Sequence, residues 1–168
     1  MKTIVLGGGC FWCLDAIYKK VEGVKNIESG YAGGHTDSPT YDEVSLGQTG
    51  HAEVVRLTFD ENIIDLKNIL RIFFEIHDPT TMNAQGADIG TQYRSVIFYS
   101  NPEDENIITS VIEEAQNNFK NKIVTEVSPL PAFYLAEDYH QDYYAKNPNQ
   151  PYCVAVISPK LEKFIKHK

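Results

Sequence analysis

A chain of 168 residues with 23 acidic side chains against 15 lysines and arginines carries a formal net charge of −8. That balance argues against a broad nucleic-acid surface or an anionic membrane as partner. No apolar run approaches the roughly 20 residues a spanning helix needs. The 42% hydrophobic and 23% charged composition is that of a soluble globular protein. The length suits one domain, residues 1–168, able to bury its core without disulfide or metal staples. The apolar part of residues 1–6 is too short for a secretory signal, so a cytoplasmic, monomeric protein is expected. Its three cysteines, Cys10, Cys13 and Cys153, are an odd number and a poor disulfide framework, so the C-x-x-C pair reads as redox or metal chemistry.

In chain order, residues 2–6 form a short β-branched, apolar strand that Gly7-Gly8-Gly9 interrupts. Helical spacing of Phe11, Leu14, Ile17 and Tyr18 predicts a helix over 11–21, ended by Gly23. A second strand follows at 24–31 and a Gly-, Ser- and Pro-rich loop at 30–40. Residues 53–59 alternate cleanly, with Glu53, Val55, Leu57 and Phe59 on one face. Leu66, Ile69, Leu70 and Phe73 mark an amphipathic helix over 64–76. After a loop at 78–92 come a strand at 94–99 and a helix over 101–121, with Asn101 as its cap and Pro102 in its first position. A strand at 123–127, a polar Tyr-rich stretch, a strand-like Val154–Ile157 run and a basic tail at 160–168 complete the chain. Leu161, Phe164 and Ile165 are expected to dock that tail on the sheet. The β-α-β-β-α-β order predicts an α+β fold: a ferredoxin-like split β-α-β core with an extra strand, helices and a long C-terminal coil/helix extension.

Cys10 falls where a helix begins after three glycines. Unpaired N–H groups and the partial positive charge of a helix N-terminus stabilise a thiolate, predicting a lowered thiol pKa and a nucleophile near neutral pH. The glycines also suggest a phosphate cradle, but neither G-x-G-x-x-G nor G-K-[ST] follows, and a tight turn explains them. Cys13, one turn beyond Cys10, has the spacing of thioredoxin-like pairs and of zinc knuckles. A zinc site wants four ligands and the sequence offers no second paired motif, so no metal is expected. Glu53 on a core-facing strand edge loses hydration, which raises its pKa and suits it to donate a proton. Ten tyrosines, several beside polar segments, offer hydroxyl donors on apolar walls.

Six segments, Gly9-Cys10-Phe11-Trp12, residues 30–34, Pro39-Thr40-Tyr41, residues 49–53, residues 90–95 and residues 136–141, together resemble the A class of peptide methionine sulfoxide reductases, in order, across residues 4–153. The resemblance implies reduction of methionine S-sulfoxide, protein-bound and free, in repair of oxidative damage. It implies Cys10 as nucleophile, Glu53 as acid, Tyr41 and Tyr93 on the sulfoxide oxygen, and Phe11 and Trp12 against the S-methyl group. Asp88, His140 and Tyr152 follow the family's pocket and loop motifs. The sulfenic acid left on Cys10 would be resolved by Cys153, with Cys13 as the alternative, and the disulfide reduced by thioredoxin or dithiothreitol without any bound cofactor. The chain departs from relatives that end in a glycine-rich tail with a further cysteine. Two rivals remain: a general thiol–disulfide oxidoreductase built on Cys10 and Cys13, and a zinc-binding interaction module.

Overall fold

The computed structural model describes residues 1–166, so His167 and Lys168 of the basic tail lie outside it. Strands β1 (Lys2–Gly7), β2 (Val24–Ala32) and β3 (Ala52–Phe59) and helices α1 (Phe11–Tyr18), α2 (Tyr41–Ser45) and α3 (Leu66–Ile76) build the first half. A small hairpin of β4 (Ala84–Gln85) and β5 (Asp88–Ile89), then β6 (Val96–Tyr99) and α4 (Asp104–Gln116), follow. The chain continues through β7 (Glu126–Pro129), β8 (Phe133–Leu135), α5 (Tyr143–Lys146), a π-helical turn at Cys153–Ile157 and α6 (Ser158–Lys166).

The main sheet runs β7-β6-β1-β3-β2-β8. Its central four strands, β6-β1-β3-β2, are antiparallel neighbours throughout, the split β-α-β core expected from the order of elements. Two strands extend it: β7 parallel to β6, and β8 antiparallel to β2. The period-two pattern of β3 sends Val55, Leu57 and Phe59 into the main core with Phe11, Leu14, Ile17, Ile69 and Phe73. On the opposite face Ala52 and Val54 meet Val5, Val96 and Phe98 under Leu130 and Phe133. Both faces of β3 are therefore covered at its N-terminal end, where Glu53 lies.

Several expectations change in detail. Helix α1 stops at Tyr18 rather than residue 21, and α4 begins at Asp104, because Asn101 opens a turn in which its Oδ1 accepts from Glu103 N–H and its carbonyl from Asp104 N–H. The strand placed at 123–127 occupies Glu126–Pro129 instead. The strand-like Val154–Ile157 run is helical. Its buried residues, Cys153 and Ile157, continue to Leu161 and Phe164 at spacings of four, four and three, a helical stripe that outweighs the β preference of two valines. Ile165 is 49% exposed and does not join Leu161 and Phe164 in docking the tail.

Candidate active site

The site is built on the junction of β1 and α1. Gly9 takes a left-handed φ of +86°, its N–H donates to the Tyr93 carbonyl at 3.1 Å, and a Cβ there would meet Gln85 at 2.8 Å. Gly8 lies against His77, whose ring a Cβ would approach to 3.0 Å. His77 is pinned by Phe73 O on Nδ1 and by Ser95 Oγ, at 2.8 Å, on Nε2. This packing turns the chain so that Cys10, in extended conformation, caps α1.

Glu53 is the nearest acid. It is 1% exposed, and its Oε1 accepts the Phe11 N–H at 3.1 Å. Burial dominates and pushes the Glu53 carboxyl up to about 8, with Asp88 adding to the effect against the Phe11 N–H and the neighbouring Cys10 thiol. The direction is the one the sequence predicts for a carboxyl that loses its hydration.

Cys10 departs from expectation. Its thiol is held well above the ordinary range, first by burial, then by Glu53 and Cys13, with only the Trp12 N–H acting the other way. The physical reason is one of size. A helix terminus is worth only about 0.3–1 kcal/mol, and desolvation of the half-buried thiol together with Glu53 and Cys13 acts against it. Both groups of the pair are thus pushed toward their protonated forms.

Tyr41 and Tyr93 are half-buried and within electrostatic reach of Glu53 and Cys10. Burial, then Glu53, pushes Tyr41 up to about 12 and Tyr93 higher, so both hydroxyls remain donors. Trp12 is partly open; its indole stacks on Tyr143 with ring centroids 3.7 Å apart and planes 4° apart. Its Nε1–H donates to His140 Nδ1 at 3.0 Å. Phe11, by contrast, is fully buried in the core, with Tyr31 and the buried His140 at 5.7 and 5.1 Å, so of the two predicted wall residues only Trp12 presents an open face. Asp88 closes another side, its Oδ2 accepting from Tyr152 Oη at 2.6 Å.

All three cysteines are free. Cys13, Cys153, Ala16 and Ile157 form one buried cluster against which Cys10, Trp12 and Tyr152 pack. Cys13 is raised to about 11 by burial, opposed first by Lys160. Burial also raises Cys153. Among the described residues no group of three or more His, Cys, Asp or Glu side chains is arranged to hold a metal ion, and no helix is long and apolar enough to cross a membrane.

Sequence reasoning missed two contributors. Tyr143 was one of many tyrosines, with nothing local to mark it as the partner of Trp12. Glu137 accepts from Tyr31 Oη at 2.9 Å and from the Tyr41 N–H at 3.0 Å, so it fixes the start of α2.

The sequence model for "Peptide methionine sulfoxide reductase" matches residues 2–168. The peptide methionine sulfoxide reductase MsrA of Saccharolobus solfataricus is 55% identical over 166 residues, 99% of this chain and 94% of the relative. Among solved structures, Mxr1 from Saccharomyces cerevisiae in reduced form superposes with a TM-score of 0.86 at 41% identity, over 90% of this chain and 88% of that one. The same yeast protein in complex with Trx2 gives 0.61 at 29% identity, over 84% of each chain. With its fold and nearly its whole length shared with these proteins, the chain belongs to the peptide methionine sulfoxide reductase family.

Proposed function

We propose that the chain reduces methionine S-sulfoxide, free and protein-bound, in the cytoplasm, by attack of Cys10 on sulfur with Glu53 as the acid. The observation that carries this reading is the convergence on one spot of a thiol and a buried carboxyl held protonated to about pH 8. A sulfoxide resists thiol attack until its oxygen is protonated, so thiol and acid must act on the two ends of one S–O bond. Glu53 gives its proton to the oxygen and receives that of the neighbouring Cys10 thiol. The Cys10 sulfur then bonds to the sulfoxide sulfur without a free thiolate having to exist beforehand. Tyr41 and Tyr93 donate to the same oxygen. The open face of Trp12, held by Tyr143 and His140, receives the S-methyl group, which leaves only one epimer with its oxygen toward Glu53.

Transfer of the oxygen to Cys10 releases methionine and leaves a sulfenic acid. A second thiol condenses with it, forming a disulfide and expelling water. Cys153 is the proposed resolver, with Cys13 as the alternative, both packed within the cysteine cluster. An external dithiol then exchanges with that disulfide. Thioredoxin is the proposed physiological reductant, in keeping with the Trx2 complex of the yeast relative. No metal or organic cofactor enters this scheme.

The test is turnover of each methionine sulfoxide epimer with dithiothreitol, for the unaltered chain and Cys10→Ser. Reduction of the S epimer alone, abolished in Cys10→Ser, is the expected result. Reduction of the R epimer alone, or of neither, refutes the reading.

A further inference from the structure

We propose that His140 is a positioning residue for the reaction: neutral, with its proton on Nε2, it fixes the edge of the Trp12 indole that receives the substrate methyl group, and protonation of its ring releases that edge. This rests on the reading of Trp12 as the wall for the S-methyl group and adds to it the protonation state that the wall requires. The Trp12 Nε1–H donates to His140 Nδ1 at 3.0 Å. An indole nitrogen is a donor only, so Nδ1 must offer a lone pair, and the neutral ring then carries its proton on Nε2.

The stack and the hydrogen bond restrain different motions of Trp12. The Tyr143 ring, 3.7 Å away and 4° from parallel, sets the plane of the indole but leaves it free to turn and slide within that plane. The hydrogen bond at Nε1 removes that freedom. His140 is a fixed acceptor because it is buried, its ring held among those of Phe11, Trp12, Tyr41 and Tyr139 at centroid distances of 5.1, 5.7, 4.4 and 4.1 Å. The next residue anchors its backbone. Gln141 Nε2 donates to the Ser29 and Ala136 carbonyls at 2.9 and 3.0 Å, and its Oε1 accepts the Ser29 N–H at 2.9 Å. A phenylalanine would fill the same cage without supplying an acceptor. It would also avoid burying Nε2, a donor with no partner among the described residues.

Protonation turns both ring nitrogens into donors. Nδ1–H then confronts the Trp12 Nε1–H, and Nε2–H still meets no acceptor. The groups around the ring offer little to hold a cation there. Helix α1 presents Phe11 and Trp12, α2 presents Tyr41, and the ring's own segment presents Tyr139 and Glu137. Glu137 alone of these is a carboxylate, and its oxygens already accept from Tyr31 Oη and the Tyr41 N–H. Burial outweighs its attraction and lowers the His140 pKa from the ordinary histidine range. The ring is therefore neutral at pH 7, and the wall loosens only below the usual histidine value of about 6.5.

The experiment follows methionine release from methionine S-sulfoxide in single turnover, from about pH 7 down to about pH 4, without reductant, so that the thiols of dithiothreitol do not enter. In the unaltered chain the half-saturating sulfoxide concentration should rise about two- to tenfold in acid, the worth of one hydrogen bond, with the limiting rate little changed. The emission of Trp12, the chain's one tryptophan, should titrate with the same midpoint. His140→Asn sets an amide oxygen where Nδ1 stood and does not titrate. It should recover most of the substrate binding that His140→Leu loses at pH 7, and both acid changes should vanish in it. Nitrogen NMR of the unaltered chain should show the Nε2–H form of the imidazole at pH 7. A ring protonated on Nδ1, or half-saturation independent of pH, overturns the proposal. So do acid changes that persist in His140→Asn, which would belong to another group such as Asp15, raised to about 6. Failure of the unaltered chain to release methionine at pH 7 would strike the reductase reading instead, and the tautomer and the emission titration would still decide whether His140 holds Trp12.

Discussion

Replacing Glu53 by glutamine separates the acid from everything else the residue does. Glutamine keeps the shape and an oxygen able to accept the Phe11 N–H, at a position only 1% exposed, so the fold should persist. What is lost is the proton. Positioned proton donation is worth about 10²–10⁴ in rate, so kcat/KM at pH 7 should fall by that factor. The unaltered enzyme should hold its activity up to the Glu53 pKa of about 8 and lose it above, whereas the residual activity of Glu53→Gln should show no such inflection. Stability supplies an independent readout with a defined sign. The folded state keeps a proton that the unfolded chain releases near 4.5, so stability falls as pH rises from there to about 8 and levels off beyond. The ceiling on that loss is about 5 kcal/mol. Glu53→Gln should therefore match the unaltered chain near pH 5 and exceed it by several kcal/mol at pH 9, in urea melts across that range. Activity within tenfold of normal, or a stability difference independent of pH, would refute the assignment.

Asp15, 2% exposed beside Lys19 at 3.8 Å, is raised to about 6, first by burial. By the same sign argument, Asp15→Asn should be roughly 1–3 kcal/mol more stable than the unaltered chain at pH 8 and no different at pH 4, read by denaturant titration. Gly8→Ala would press a methyl into the pinned His77 ring, so the melting temperature should drop, reflecting about 1–3 kcal/mol. Tyr143→Ala removes the 3.7 Å stack on Trp12, the chain's one tryptophan. Its fluorescence should shift to the red, and KM should rise about two- to tenfold with kcat little changed, as expected for a lost aromatic pair. An unchanged emission spectrum would deny that Tyr143 shields Trp12.

Legibility in the sequence followed the range of the interactions involved. The core strands were readable because β3 writes its two faces in alternation, and the same alternation exposed Glu53 as a carboxyl among Val55, Leu57 and Phe59. Cys10 was readable from the strand, glycine turn and helix in succession, but the direction of its pKa was not. The helix terminus is local, whereas Glu53 and the tail residues Cys153 and Ile157 that surround Cys10 lie roughly 40 to 150 positions away. The segment after Cys153 misled because Val154 and Val156 carry β preference, while the stripe that decides its form runs on through Leu161 and Phe164. The Trp12–Tyr143 stack and the Glu137 hydrogen bonds join residues about 100 or more apart, and no local pattern announces them.

The most direct test of Cys10 as the attacking group is a single turnover without reductant, followed by mass spectrometry of the cysteine peptides. One equivalent of methionine S-sulfoxide should yield one methionine per chain, two fewer free thiols, and a disulfide from Cys10 to Cys153 or Cys13. Methionine released while Cys10 remains a free thiol would contradict the account.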